Sequence, residues 1–167
     1  MKVSGRNLGR RLLLFGDRLS RIKHRKGHGV HSPFVYGFVR KVLMAKILCE
    51  GLDNTLYNTL LAKGVKEKRA RELHNTLCYI EGKSYSVNEV ACDLSILLAD
   101  YPTEQLRSAY EEAKREGLTL AICQPYLNRE RQNEIKGLID EHSSTTIDNR
   151  AYILFFNNRL PKQYYRL

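Results

Sequence analysis

The chain is 167 residues long, with 43% hydrophobic and 28% charged residues, four cysteines and no tryptophan. That size and mix argue against a fibre or a largely disordered chain and fit one globular domain with a single core. Lys and Arg number 28 against 18 Asp and Glu, a net charge of +10. The excess is local: residues 1–46 hold 12 basic side chains and only Asp17 on the acidic side, whereas residues 47–167 carry 16 against 17. Clustered positive charge points to an anionic partner, such as nucleic acid, a membrane surface or an acidic protein.

Leu8, Leu12, Phe15, Leu19 and Ile22 recur at steps of four and three, so the spacing predicts one apolar helix face. The other faces carry Arg10, Arg11, Arg18 and Arg21, and Lys23, Arg25 and Lys26 extend the basic surface. Two readings stay open: an anion-gripping surface, or a helix packed on the domain with its charges in water. The second is favoured. Leu12 to Phe15 is too short a run for a signal-peptide core or a membrane span. The Arg-rich, acid-poor composition leaves a mitochondrial presequence open, and a soluble cytoplasmic protein is expected ahead of it. Next, Ser32 is placed to cap a helix and Pro33 to occupy its first turn, where the missing N–H has no partner to lose. An apolar stripe of Phe34, Val35, Phe38, Val39 and Val42 then continues to about Cys49.

Helical patterns follow over 54–63, stopped by Gly64, and 66–80. Beyond Gly82 the character changes. Leu94 to Ala99 and Leu118 to Cys123 are apolar runs without alternation, as expected of strands covered on both faces. Helices are predicted over 103–116 and 128–142. Strands Thr145–Ile147 and Tyr152–Phe156, divided only by 148–150, form an antiparallel pair, and Gln163–Tyr165 is strand-like. Residues 81–92 stay open, with Tyr85, Val87 and Val90 alternating as in a small extra strand.

This order predicts an α/β fold: a truncated Rossmann-like, mostly parallel sheet with an antiparallel strand at the C-terminal end, preceded by an N-terminal helical region. The divisions are 1–50, basic helices; 51–92, a helical connector; and 93–167, half of a doubly wound sheet. The half that would carry a glycine-rich phosphate turn is missing, because 50–92 reads as mainly helical.

The cysteines, Cys49, Cys78, Cys92 and Cys123, show no C-x-x-C pair, so buried thiols in a reducing compartment are expected over disulfides or zinc. Gly27-His28-Gly29 is the only G-x-G and follows no strand, so no motif supplies a cofactor site by itself. Open α/β sheets bind ligands beyond the carboxyl ends of their strands. That rule makes Asp100, Tyr101, Gln124 and Tyr126 the candidate ligand-facing residues, although Asp100 and Gln124 also suit plain turn and capping roles. His28 and His31 have H-x-x-H spacing without an evident third ligand, so no metal is expected. Ser32, His31 and Asp100 lack a nucleophile elbow, so no catalytic residue is assigned.

The string His28-Gly-Val-His-Ser-Pro-Phe-Val-Tyr36, together with Thr145-Thr-Ile-Asp148, Ile153-Leu-Phe-Phe156 and Leu160-Pro-Lys-Gln-Tyr164, resembles the two ends of a bacterial family of class I S-adenosylmethionine-dependent methyltransferase-like proteins. The resemblance covers 25–50 and 93–167. It implies that Asp100 is the counterpart of the aspartate closing the family's fourth strand. Cys123-Gln124-Pro125 stands where the family has paired aspartates, and Glu81-Gly82 is at most a remnant of its E-x-G cofactor segment. Ancestry from a methyltransferase fold with loss of the cofactor site is therefore expected, giving a pseudoenzyme that binds or scaffolds.

Two other functions stay open. One is an active methyltransferase whose site is completed by a partner chain or a homodimer; the other is nucleic-acid binding through residues 1–46. A homodimer is also suggested by a half-sheet whose apolar strands at 94–99 or 118–123 would have one open edge.

Overall fold

The computed structural model describes residues 32–157 and 160–167. Helix α1 (Pro33–Phe38) starts as the sequence predicts, with the Ser32 hydroxyl accepting the Val35 N–H and Pro33 in the first turn. A π-helical turn, Val39–Leu43, continues it, so helix ends at Leu43 and not near Cys49. Val35, Phe38, Val39 and Val42 remain one buried stripe through the change of helix type.

Helix α2 (Thr55–Ala62) ends where Gly64 adopts φ 78°. The N–H groups of Gly64 and Val65 then return to the carbonyls of Leu61 and Leu60, closing a Schellman cap. Helix α3 (Glu67–Tyr79) ends the same way, except that Glu81 takes the left-handed position at φ 57°. Gly82 follows because a Cβ there would lie 2.6 Å from Leu77 Cδ1 and 3.0 Å from Asp93 Cβ. Glu81 and Gly82 therefore cap α3 and admit a close packing contact. The pair lies between the end of α3 and Tyr85, and follows a helix and not a strand.

Strand β1 (Tyr85–Val87) gives residues 81–92 their one strand, so the connector is not wholly helical. It is followed by β2 (Leu94–Leu97), helix α4 (Leu106–Arg115) behind a short 3₁₀ turn at Thr103–Gln105, and β3 (Thr119–Cys123). Helix α5 (Arg129–Glu141), β4 (Thr145–Asp148), β5 (Tyr152–Phe155) and β6 (Gln163–Arg166) complete the described elements.

The six strands form one mixed, mostly parallel sheet in the order β1-β2-β3-β5-β4-β6. Pairs β1–β2, β2–β3 and β4–β6 are parallel, while β5 runs antiparallel to both β3 and β4. Both apolar strands, β2 and β3, are paired on each side, so the expected open apolar edge does not exist. The edges are the short β1 and β6, neither fully buried.

Helices cover both faces. Leu94, Ile96, Ala121, Ile147 and Leu154 pack under α1–α3, while Leu97, Leu120, Ile122, Ile153 and Phe155 pack under α4 and α5. Each fully buried side chain of this size contributes about 1.5–3 kcal/mol of transfer free energy. At one crossing a glycine is required by geometry: a Cβ on Gly37 would meet Tyr79 Oη at 2.5 Å, where that hydroxyl donates to the Phe34 carbonyl.

One cysteine expectation is overturned. Cys49 and Cys78 are joined in a disulfide across a Cα separation of 6.6 Å, whereas Cys92 and Cys123 are free thiols. Sequence separation hides the pair because α3 folds back against the segment after the π turn. No helix among the described residues is long and apolar enough to cross a membrane.

Candidate functional site

The structure puts Asp100 and Tyr101 just beyond β2, and Gln124 and Tyr126 just beyond β3, so both pairs lie at carboxyl strand ends. What surrounds them decides their use. Parallel neighbours ordinarily need a crossover of a dozen or more residues, yet β1 reaches β2 through residues 88–93 alone. Asn88 opens that link at φ 60°, a left-handed conformation that Asn tolerates better than most residues. Its N–H donates to the Ile96 carbonyl at 2.8 Å and its side-chain carbonyl accepts the Leu98 N–H at 2.8 Å. Its side-chain amide donates to Asp100 Oδ1 at 3.0 Å. Further along, the Ser86 hydroxyl donates to the Glu89 carbonyl at 2.7 Å and meets the Ser95 hydroxyl at 3.1 Å, which folds the link back onto the strands.

Arg131 closes the neighbouring strand ends. It sits in the first turn of α5, is fully buried, and has no exposed surface. Nη1 donates to the Tyr101 carbonyl at 2.9 Å, and Nη2 to the carbonyls of Leu98 at 3.0 Å and Cys123 at 3.2 Å. Burial lowers the pKa of this guanidinium, and Cys123 and Asp100 pull it the other way. The guanidinium thus brings the Asp100–Tyr101 and Gln124 loops together by occupying the space between them. The Tyr101 ring packs with the core under α4 and α5, and burial, with Glu112, raises its phenol pKa.

On the other side of β3, Gln124 holds φ 47° and donates its N–H to the Ala151 carbonyl at 2.8 Å, which fastens its loop to the β4–β5 turn. Its side chain is exposed. Asp148, buried at the end of β4, takes the Tyr126 hydroxyl and, at 3.0 Å, the Tyr164 hydroxyl on Oδ2, with the Arg150 N–H on Oδ1 at 2.7 Å. Burial and then the Asp148 charge push the Tyr164 phenol far above its ordinary pKa, so it is a proton donor and not a nucleophile. A second buried carboxylate, Glu72 of α3, accepts from Arg69 Nη1 at 2.6 Å and Asn149 Nδ2 at 3.4 Å. Asn149 Oδ1 in turn accepts the N–H groups of Ala151 and Tyr152. These contacts hold the β4–β5 turn against α3.

Chemically, the strand ends are a set of internal ties. Burial raises the Cys123 thiol pKa to about 12, which makes it unreactive at neutral pH. Among the described residues no group of three or more His, Cys, Asp or Glu is placed to hold a metal ion. His28, His31 and the basic residues Arg10, Arg11, Arg18, Arg21, Lys23, Arg25 and Lys26 lie outside the described residues.

A cleft among the described residues lies at the opposite end of the strands. With a volume of about 750 Å³, it opens beside the amino ends of β2 and β3, lined among others by Lys41, Cys49, Cys78, Tyr79 and Thr119. Sequence reasoning named neither this cleft nor Asn88 and Arg131. Asn88 carries a readable signal, a turn-forming residue directly after a short strand. Arg131 carries only its place three residues after the Asn128 cap, whose side chain accepts the Arg131 N–H at 2.8 Å. No family model, no curated protein and no solved structure matches the chain.

Proposed function

We propose that this chain is a shortened methyltransferase-like protein that does not hold S-adenosylmethionine and works as a binding or scaffolding module. The observation that carries this reading is the 88–93 link. A class I cofactor site needs a glycine-lined turn from a strand into a helix, whose N-terminal amides then face the ligand. Here Val87 leads through Asn88 straight back to Leu94, with no helix between, and Asn88 and Arg131 take up the polar groups at the strand ends. The resemblance over 25–50 and 93–167 supports the kinship, and the antiparallel β5 near the C-terminal end accords with it.

The alternative, a methyltransferase completed by another chain, needs Asp100 to meet the ligand, and Asp100 Oδ1 already accepts from Asn88. The partner class suggested by the basic residues before Ser32 is anionic. Isothermal titration of the full chain with S-adenosylmethionine tests the reading: no saturable heat is expected, and micromolar affinity overturns it.

A further inference from the structure

We propose that the Cys49–Cys78 disulfide is a reversible redox latch on the amino-end cleft, opened by a dithiol reductant. The bond joins residues 44–54, which contain no helix or strand, to the last turn of α3. Both cysteines are half-buried and line the cleft, so a small thiol reaches the sulfurs without unfolding the domain. Much of the segment they anchor faces water, with Ile47 73% exposed and Met44 44% exposed, and Leu52 is its half-buried contact with the core.

A second tie explains why the latch can close again. Buried Asn75, one helical turn before Cys78, accepts the Cys49 N–H at 2.9 Å and donates to the Ile47 carbonyl at 3.0 Å. These bonds do not depend on the sulfurs. They keep Cys49 opposite Cys78 after reduction, so the pair meets an oxidant in register.

The exchange proceeds in two displacements. A thiolate of the dithiol attacks Cys78 Sγ; the protein S–S bond breaks, its electron pair leaves on Cys49 Sγ, and that sulfur takes up a proton. The second thiol, deprotonated, attacks the reductant's sulfur in the mixed disulfide and releases Cys78 as a thiol after protonation. The protein gains two electrons and two protons, and the dithiol becomes a cyclic disulfide. Attack falls on Cys78 because its own thiolate would sit at the negative end of α3, which makes Cys49 the better leaving group.

Mass spectrometry of the full chain, alkylated while denatured without reductant, provides the first test. A linked Cys49–Cys78 peptide is expected, with label on Cys92 and Cys123. Incubating the folded protein with dithiothreitol is then expected to free both sulfurs, speed amide hydrogen exchange across 44–54 by about tenfold or more, and lower Tm by roughly 5–10 °C. Oxidised glutathione should restore the link after the dithiol is removed. The double variant Cys49→Ser/Cys78→Ser should reproduce the reduced exchange pattern; if it does not fold, the reduction experiment still decides. Four labelled cysteines in the untreated protein, a bond that yields only after denaturation, or unchanged exchange across 44–54 on reduction each overturn the latch.

Discussion

The side-chain amide of Asn88 donates to Asp100 Oδ1 at 3.0 Å, joining the end of β1 to the residue just beyond β2, where an open α/β sheet receives its ligand. The same side chain also accepts the Leu98 N–H. Asn88→Ala removes both bonds and leaves a non-glycine residue at φ 60°, so a loss of about 1–2 kcal/mol is expected in urea unfolding. Asn88→Gly removes the bonds but suits the backbone, and should lose less. Equal losses in the two variants would show that the left-handed backbone contributes nothing.

Arg131 offers a sharper case, because three carbonyls depend on one guanidinium. A lysine ammonium cannot span them at once. Arg131→Lys should destabilise by about 2–4 kcal/mol, since carbonyls left dry and unpaired are costly. Denaturant midpoints of the two proteins measure this, and a wild-type midpoint would mean that the strand ends close without it.

Stability should fall in mild acid. His74 is fully buried and neither ring nitrogen has a hydrogen-bond partner among the described residues. Buried His142 meets the Tyr110 hydroxyl at Nδ1, 3.0 Å, and the Phe156 carbonyl at Nε2, 3.3 Å, which fits a neutral ring that accepts at Nδ1 and donates at Nε2. Burial lowers both pKa values from the ordinary 6.5. The unfolded chain therefore binds protons first, and the stability held above about pH 6.5 is lost as pH falls below it. Tm should be level from about pH 7 to 8 and drop toward pH 5. His74→Leu removes the orphan ring nitrogens, so its curve should lie higher at pH 7 and slope less.

The end of α3 allows two opposite substitutions. Glu81→Gly relieves a non-glycine left-handed residue and should stabilise by about 0.5–1 kcal/mol. Gly82→Ala forces a methyl against Leu77 and Asp93 and should destabilise by about 1–3 kcal/mol. Differential scanning calorimetry reads both, and a neutral Gly82→Ala would remove the packing reason for that glycine.

Local patterns carried most of the fold. The apolar runs Leu94–Ala99 and Leu118–Cys123 announced the interior strands β2 and β3, and the short break read at 148–150 announced the antiparallel β4–β5 pair, although Asp148 itself belongs to β4. The insertion of β5 between β3 and β4 was hidden, because strand order depends on how α5 returns over the sheet and not on any local signal. The three-residue β1 was too short for a firm period. Of the candidate site, the four positions after β2 and β3 were legible, but their partners were not. Arg131 reads as a solvated charge until the carbonyls of Leu98 and Tyr101, some thirty residues away, and of the nearer Cys123 are brought to it, and Cys49 meets Cys78 only through tertiary packing.

Thermal-shift titration of the full chain with S-adenosylmethionine and with its demethylated product tests most directly whether the 88–93 link leaves room for an adenosyl ligand. Tm should stay constant up to millimolar concentrations of either compound. A concentration-dependent rise contradicts the proposal, since a hundredfold excess over Kd would add about 2.7 kcal/mol, a shift of several degrees.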